Sequence, residues 1–337
     1  MRSKRPTTIK EIARKLKISA STVSRALNDH PSIGLVTTMR VKKMAEELNY
    51  EPNQTAIFFK QRKTFTIGVI LPDLSEPFFS AAISAIEGYA EEKKYTVLLG
   101  QSQDDPKREA KIVHTFKKHR VDGILISLGK NTADLDFLKP LKGSGIPLVF
   151  FDCVPETSEV DKVYCDLSTG MEQAIEAFVS RGHKNIALIN GPDTLLATAE
   201  RTAFFKATLA KYSCVFNARY VVHTDLSEQG NIQAMEQLCM LAERPSAVVS
   251  FNDFVTLDVI KYARQKGIGV GQEMHFISFA NYPLWKYMES PPLGSIEQYP
   301  GEQGEKAAEI LFKLLEKPEE EPWVPQQVVL KSKLILK

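Results

Sequence analysis

Residues 8–27, TIKEIARKLKISASTVSRAL, decide the fold of the N-terminal part of this chain. Apolar residues recur at helical spacing in the first half, which predicts an amphipathic helix. Thr8 followed by Glu11 fits a capping box, in which the Thr hydroxyl accepts a hydrogen bond from the third amide of the helix. A turn follows at Lys17, and Ser19 is placed to cap a second helix. The stretch therefore predicts two short helices joined by a tight turn.

The second of these helices has two different faces. Val23 and Leu27 belong to the predicted inner face. A helix that enters the DNA major groove needs small residues for close approach and an Arg that can bond guanine with two donors. The alternative is an ordinary helical hairpin with no ligand. The outer face carries short, mostly uncharged side chains and one basic one: Ala20, Ser21, Thr22, Ser24 and Arg25.

Charge is distributed unevenly along the 337 residues, and this argues against the plain hairpin. Residues 1–63 contain 14 basic and five acidic residues, a net charge of +9, although the whole chain carries only +2. The remainder is therefore at −7. Such asymmetry predicts a head that binds a polyanion, attached to a body that does not.

From residue 65 onward, apolar runs alternate with amphipathic helices. Strands are predicted at 66–71, 96–100, 123–128, 147–152, 185–189, 220–223, 247–250, 275–279 and 294–298, with a last strand at 326–336. Nearly continuous apolar strands that alternate with helices indicate parallel sheets covered on both faces. Because the pattern begins again after about residue 170, the sequence predicts an α/β body of two similar lobes.

Polar residues follow several predicted strands. Asp73 and Asp152 come directly after apolar runs, as does Asn252, and Arg201 opens a helix after a turn. Each has an alternative explanation, because an acid or amide at a helix start caps the helix and complements its dipole. Together, at the carboxyl ends of parallel strands, they predict a polar ligand cleft between the lobes.

Other function classes receive no support from the sequence. The four cysteines have no CxxC spacing and are expected to be buried thiols of a reducing compartment. No metal, cofactor or catalytic motif appears, and we expect no enzyme. The basic start lacks the apolar run of a secretory signal, and no segment is long enough to span a membrane. A cytoplasmic protein without a membrane partner is the expectation.

Three groups of residues resemble the lactose-repressor/galactose-repressor (LacI/GalR) family of transcription regulators. They are TIKEIA at 8–13, ISASTVSRALN at 18–28 and LNYEPN at 48–53. The strand IGVI at 67–70, PFF at 77–79 and GHKNI at 182–186 extend the similarity through the body. The resemblance implies an all-α helix-turn-helix head at 1–52, a hinge helix and linker at 53–64, and a two-lobed periplasmic-binding-protein-like body at 65–337.

For the head, the resemblance implies a homodimer on a roughly palindromic double-stranded DNA operator. Ala20, Ser21 and Arg25 occupy positions where the family reads bases. Residues 53–60 match a hinge helix that folds in the minor groove, and Phe59 falls where a side chain wedges into a base step. The expected DNA-binding residues are Thr8, Ser19, Ala20, Ser21, Thr22, Ser24, Arg25, Asn28, Asn53, Ala56 and Phe59.

For the body, the resemblance implies a small effector in the cleft, such as a sugar or related metabolite. Ala280 and Asn281 stand where the family commonly has an acid that holds a sugar hydroxyl, and Leu226 replaces an expected aromatic residue. With these two departures, we do not expect a sugar to bind in the pose that is typical of the family. The expected effector-binding residues are Asp73, Phe78, Phe79, Asp152, Arg201, Asn252, Asn281 and Gln298.

Two further classes stay open at this point. A pure small-molecule binding protein would share the body, but the +9 head argues against it. An enzyme built on the same body would need a nucleophile or metal cluster, and the sequence offers neither. We therefore expect a DNA-binding regulator, most simply a repressor.

Overall fold

A computed structural model describes residues 7–51, 63–193, 195–318 and 320–337 of the chain. The described residues form two compact units that divide between Thr64 and Phe65. The predicted hinge segment 53–60, with Asn53, Ala56 and Phe59, lies outside the described residues.

The N-terminal unit is a three-helix head. Its helices are α1 (Ile9–Leu16), α2 (Ala20–Leu27) and α3 (Leu35–Glu47). A small core forms where they meet, and its buried residues are Ile12, Ala13, Val23, Ala26, Val41 and Ala45. The predicted cap of α2 is confirmed, because the Ser19 hydroxyl accepts a hydrogen bond from the Thr22 amide at 3.0 Å.

The predicted capping box at α1 is wrong. Thr8 is the N-terminal cap residue, but its hydroxyl makes no capping hydrogen bond. The third amide of the helix, that of Glu11, instead donates to the Thr8 carbonyl at 2.9 Å. This tight first turn satisfies the amide without the hydroxyl, which makes no hydrogen bond within the described residues.

The first lobe of the body is built on a six-stranded sheet. Its strands are β1 (Thr66–Leu71), β2 (Thr96–Gln101), β3 (Gly123–Ile126), β4 (Leu148–Phe151), β5 (Asp161–Asp166) and β11 (Gln327–Lys331). They lie in the order β2-β1-β3-β4-β5-β11, and every neighbouring pair is parallel. The helices of this lobe are α4 (Pro77–Glu92), α5 (Pro106–Lys118), the short α6 (Lys139–Lys142) and α11 (Pro300–Glu316).

The second lobe repeats the same strand order. Its strands are β6 (Ile186–Asn190), β7 (Val221–His223), β8 (Ala247–Ser250), β9 (His275–Phe279), β10 (Gly294–Glu297) and β12 (Lys333–Leu336). They lie in the order β7-β6-β8-β9-β10-β12, and only β10 with β12 is antiparallel. Its helices are α7 (Ser168–Val179), α8 (Leu196–Lys211), α9 (Glu228–Cys239) and α10 (Asp253–Gln265). The predicted pair of similar α/β lobes is confirmed.

The chain passes between the lobes three times. It crosses after β5, crosses back between β10 and α11, and crosses again at Ser332. Helix α11 is thereby returned to the first lobe, where it packs closely on α4: a Cβ added at Gly304 would lie 2.4 Å from the Ala82 carbonyl oxygen. Residues near the carboxyl ends of the two sheets interact, as Asp152 and Arg201 do, and the space between these ends is called the cleft.

Two predictions about strands are corrected. The single last strand expected at 326–336 is two strands in different sheets, because the chain changes lobes at Ser332. Ser332 is buried, and its hydroxyl accepts from the Gly170 amide at 3.0 Å and donates to the Asp166 carbonyl at 2.8 Å. Strand β5 was missed, because its polar residues interrupt the apolar run that marks the other strands.

Candidate functional site

Helix α2 presents a small polar surface to solvent. Ser21 and Arg25 are exposed, and Ala20 is partly exposed. The Arg25 guanidinium makes no hydrogen bond or ion pair within the described part of the chain. An unengaged Arg flanked by short side chains is the surface that base reading in the major groove requires.

The other predicted DNA contacts in the head also serve local structure. The Ser19 hydroxyl lies 2.8 Å from the hydroxyls of Ser21 and Thr22. The Asn28 side-chain amide donates to the Ser24 carbonyl at 2.8 Å and ends α2. Thr8, with its free hydroxyl, is exposed at the start of α1. These placements leave the DNA-contact assignments as predictions.

The first lobe brings several carboxylates to the cleft end of its sheet. Asp73 follows β1, and its Oδ1 accepts from the Ser75 amide at 2.8 Å and from Gln101 Nε2 at 3.3 Å. Asp152 follows β4 with a left-handed φ of 58°, and its Oδ2 accepts from the Ser127 hydroxyl at 3.3 Å. Because β1, β3 and β4 are neighbours in the sheet, these groups share one edge.

Burial changes the charge of this edge. It raises the pKa of Asp152 to about 6, against the lowering effect of the Cys153 and Ser127 hydrogen bonds and of Arg201. Burial also raises the pKa of Glu76, the residue that precedes α4, to about 7, and repulsion from Asp152, Asp73 and Asp104 adds to the shift. Near neutral pH the edge therefore holds carboxyl groups that a ligand's charge can ionise or protonate.

The second lobe contributes a buried cation from α8. The guanidinium of Arg201 lies between the rings of Phe251 and Phe279, 4.1 Å and 4.4 Å from their centroids, and Nη1 donates to the Phe251 carbonyl at 2.8 Å. Only 6% of the residue is exposed, and its Nε has no partner among the described residues. Burial lowers the pKa of Arg201 to about 10, against the raising effect of Asp152, so the side chain remains a cation that interacts with a carboxylate of the first lobe.

The remaining predicted effector residues fall into different environments. Asn252 caps α10 with its Oδ1, which accepts from the Val255 amide at 2.9 Å, so only its NH₂ group is free for a ligand. Gln298 is nearly buried, and its side chain makes no hydrogen bond to a described residue.

Phe79 and Asn281 have mainly structural contacts. The Phe79 ring packs in the core of the first lobe, with its centroid 6.5 Å from that of Phe151. The Asn281 amide donates to Glu297 at 2.7 Å and accepts from Lys337 at 2.5 Å. With Phe78, Asn281 lines a cavity of about 480 Å³ beside the start of α11, and Tyr282, which lines the same cavity, interacts electrostatically with Glu76, Asp152 and Arg201. The assignment of Phe78, Phe79 and Asn281 as effector contacts stays a prediction.

Sequence reasoning missed Glu76, Asp104 and Lys130. Asp104 accepts from the Lys130 amide at 2.9 Å and pairs with its ammonium group at 3.2 Å, which fixes the loop after β3. The prediction of cleft residues looked for polar residues directly after strands, and none of these three lies there. Glu76 stands next to Pro77 at the start of a helix that follows a strand, and this Glu-Pro pair could have indicated it.

A helix-turn-helix head and a two-lobed body with a polar cleft, in one chain, define a class of protein: DNA-binding regulators that respond to a small ligand. The family follows from comparison with known proteins. Residues 8–53 match the model of bacterial regulatory proteins of the lacI family, and residues 64–329 match that of periplasmic binding proteins and the sugar-binding domain of the LacI family. The chain belongs to the LacI family, and it is a DNA-binding transcription regulator with an effector-binding body.

Individual relatives are similar to this chain over nearly its whole length. Catabolite control protein A of Priestia megaterium is 30% identical over 311 residues, which cover 92% of this chain and 93% of that protein. The transcriptional repressor PurR of Vibrio parahaemolyticus is 30% identical over 314 residues, or 93% of each. These relatives are transcription regulators, not enzymes.

Solved structures share the fold. A lac repressor dimer bound to operator and the anti-inducer ONPF has a TM-score of 0.85 at 22% identity and covers 99% of this chain and 98% of its own. A complex of the regulator CelR with cellobiose has a TM-score of 0.71 at 24% identity, with coverage of 98% and 99%. Among the described residues of this protein, no helix is both long and apolar enough to cross a membrane.

Proposed function

We propose that the protein is a repressor that binds a palindromic operator as a homodimer. In this proposal residues 1–52 bind DNA, 53–64 connect head and body as a hinge, and 65–337 bind the effector and the second copy. The observation that carries it is the outer face of α2, where Arg25 stands unengaged among short side chains. A two-fold dimer presents two such helices, and this matches a palindromic site.

The effector in this proposal occupies the cleft between the lobes. Asp152 from the first lobe and Arg201 from the second face the same space, so a ligand that bonds both favours one relative position of the lobes. Regulation is then a difference in operator affinity between the liganded and free lobe arrangements. In this function the chain catalyses no reaction. Because it acts on DNA in a bacterial cell, the protein works in the cytoplasm.

Selection of DNA from a random pool by the full chain tests the proposal. We expect enrichment of one palindromic sequence, and a change in the recovered fraction when a metabolite library is added. Recovery of random sequence under both conditions would contradict the assignment of α2 as a reading helix.

A further inference from the structure

The cleft edge of the first lobe holds more negative than positive charge. Asp73 follows β1, Asp104 lies in the loop after β2, Asp152 follows β4, and Glu76 precedes α4. Since β2, β1, β3 and β4 are consecutive in the sheet, the four carboxyl groups lie along one edge. Their mutual repulsion is evident at Glu76, which is influenced by the other three.

Among the described residues, the protein's own cations neutralise this edge only in part: Lys130 faces Asp104 and Arg201 faces Asp152. Lys130 forms its ion pair with Asp104 at 3.2 Å. Glu76 is partly buried, yet its carboxyl group makes no hydrogen bond or ion pair with any residue that the structure describes. A half-buried carboxyl group without a partner is unfavourable unless a ligand or water supplies one.

Arg201 is a second and independent indication of a ligand. It is more than nine-tenths buried, its charge interacts with that of Asp152, and its Nε donor has no partner among the described residues. Such a donor suits a hydroxyl or carboxylate oxygen of a bound molecule. The cleft therefore offers acceptors on the first lobe and a cationic donor on the second.

A metal ion does not explain the acidic edge. Within the described ranges, no three His, Cys, Asp or Glu side chains are grouped closely enough to hold one. Carboxyl groups spread along a sheet edge suit an extended organic molecule instead.

We propose that the effector is a small polar molecule with a protonated amine, held by Glu76 together with Asp73 or Asp152, and with an oxygen acceptor that binds Arg201. This inference rests on the proposed function and names the class of its ligand. The amine supplies the positive charge that the first-lobe edge lacks, and the oxygen satisfies the buried Arg201 donor. One molecule then bridges the two lobes.

The charge of the ligand has a consequence for protons. Around Glu76 stand Asp73, Asp104, Asp152, Lys130 and Tyr282. With a pKa of about 7, Glu76 is partly protonated in the free protein at neutral pH, and a bound ammonium group stabilises its ionised form. Binding of an amine that is already fully protonated at pH 7 should therefore release a fraction of a proton, whereas binding of a neutral molecule should not.

The test uses the full chain and a metabolite panel built in matched sets. Each set contains an amine, its N-acetyl derivative and the hydroxyl compound of the same skeleton, such as D-glucosamine, N-acetyl-D-glucosamine and D-glucose. Thermal stabilisation identifies binders, and calorimetry in two buffers of different ionisation enthalpy measures affinity and proton release. We expect an amine to bind at least tenfold more tightly than its N-acetyl partner, with proton release. Equal binding within a set, or no binding by any amine, overturns the proposal.

A matched pair of variants locates the amine. Glu76→Gln should weaken amine binding by about tenfold to one-hundredfold, because it removes the charged acceptor. Glu87 is exposed on α4, the helix that Glu76 precedes, and Glu87→Gln should leave the affinity unchanged. Wild-type proton release provides a reading that does not depend on the folding of either variant.

The same panel separates this inference from the proposed function. If a neutral or anionic member changes operator affinity, the amine assignment fails and effector control stands. If an amine binds through Glu76 but operator affinity does not change, the amine assignment stands and effector control fails.

Discussion

At the scale of single residues, Arg25 is the side chain on which base reading depends. It is exposed on α2 and unengaged, so its fork of donors is available to a guanine edge. We predict that Arg25→Ala weakens operator binding by about 1–3 kcal/mol and relaxes the preference at one base pair in each half-site. Binding-site selection with the variant measures both effects.

Lys15→Ala is the matched control for this prediction. Lys15 is an exposed basic residue of α1, outside the reading helix. Its loss should weaken binding to all sequences by similar amounts, because a phosphate contact carries no base information. If Arg25→Ala behaves in the same uniform way, base reading resides elsewhere.

The residues of the cleft were predictable only where a strand end marked them. Asp152 and Arg201 follow apolar runs or turns, and parallel topology brings such positions together. Glu76 does not follow a strand directly, and its raised pKa depends on Asp73 in its own loop and on charges from two other loops, Asp104 and Asp152. The hydrogen bonds of the Asn281 amide with Glu297 and Lys337 were not predictable, because those residues are distant in the sequence.

At the scale of elements, two histidines lie at the end of the second sheet opposite the cleft. His183 precedes β6 and His275 begins β9, with ring centroids 4.8 Å apart. His183 Nδ1 lies 2.8 Å from the Ser246 hydroxyl, whereas His183 Nε2 and His275 Nδ1 are buried without a partner among the described residues. Burial lowers the pKa of both, repulsion from Arg181 adds to both shifts, and repulsion from His275 adds to that of His183.

These lowered pKa values predict a loss of stability in mild acid. The unfolded chain has ordinary histidines, with pKa near 6.5, and therefore takes up protons before the folded protein does. The free energy of unfolding should decrease as the pH falls below about 6.5, until the folded-state pKa values are passed. Denaturant unfolding at several pH values measures this decrease.

Comparison with His275→Gln isolates the contribution of the histidine pair. The variant should lose less stability between pH 7 and pH 5.5 than the wild type, and His114→Gln, at an exposed site of α5, should resemble the wild type. Glu76 and Asp152, whose pKa values are raised, act in the opposite direction but equally in all three proteins. Identical slopes in all three would refute the assignment.

The third crossing between the lobes shows what an apolar pattern cannot reveal. Residues 326–336 read as one strand, because alternation of side chains is a local property and does not say which sheet a residue joins. The change of sheet depends on Ser332, whose hydroxyl links Gly170 and Asp166 of an earlier crossing.

Ser332→Ala should therefore lower the free energy of unfolding by about 1–3 kcal/mol, the usual cost of leaving a buried amide unpaired. Ser144→Ala, at an exposed position, should change it by less than about 0.5 kcal/mol. Equal stabilities of the two variants would mean that water or another group satisfies the Gly170 amide.

At the scale of the whole molecule, charge separates the two functions. The first 63 residues carry +9 and the remainder −7, so attraction to DNA belongs to the head. We predict that operator affinity falls steeply with salt, with a log–log slope of about −0.9 for each phosphate neutralised. A slope near zero in a salt titration would exclude electrostatic binding by the head.

Coupling between cleft and operator is the central claim, and one measurement tests it most directly. The operator dissociation constant is measured with and without a saturating cleft ligand, for the wild type and for Arg201→Ala. We predict a change of about 5- to 150-fold in the wild type, no change in the variant, and equal affinities of the two ligand-free proteins. A ligand response that survives unchanged in Arg201→Ala, or a wild type that binds the ligand without any change in operator affinity, would contradict the account.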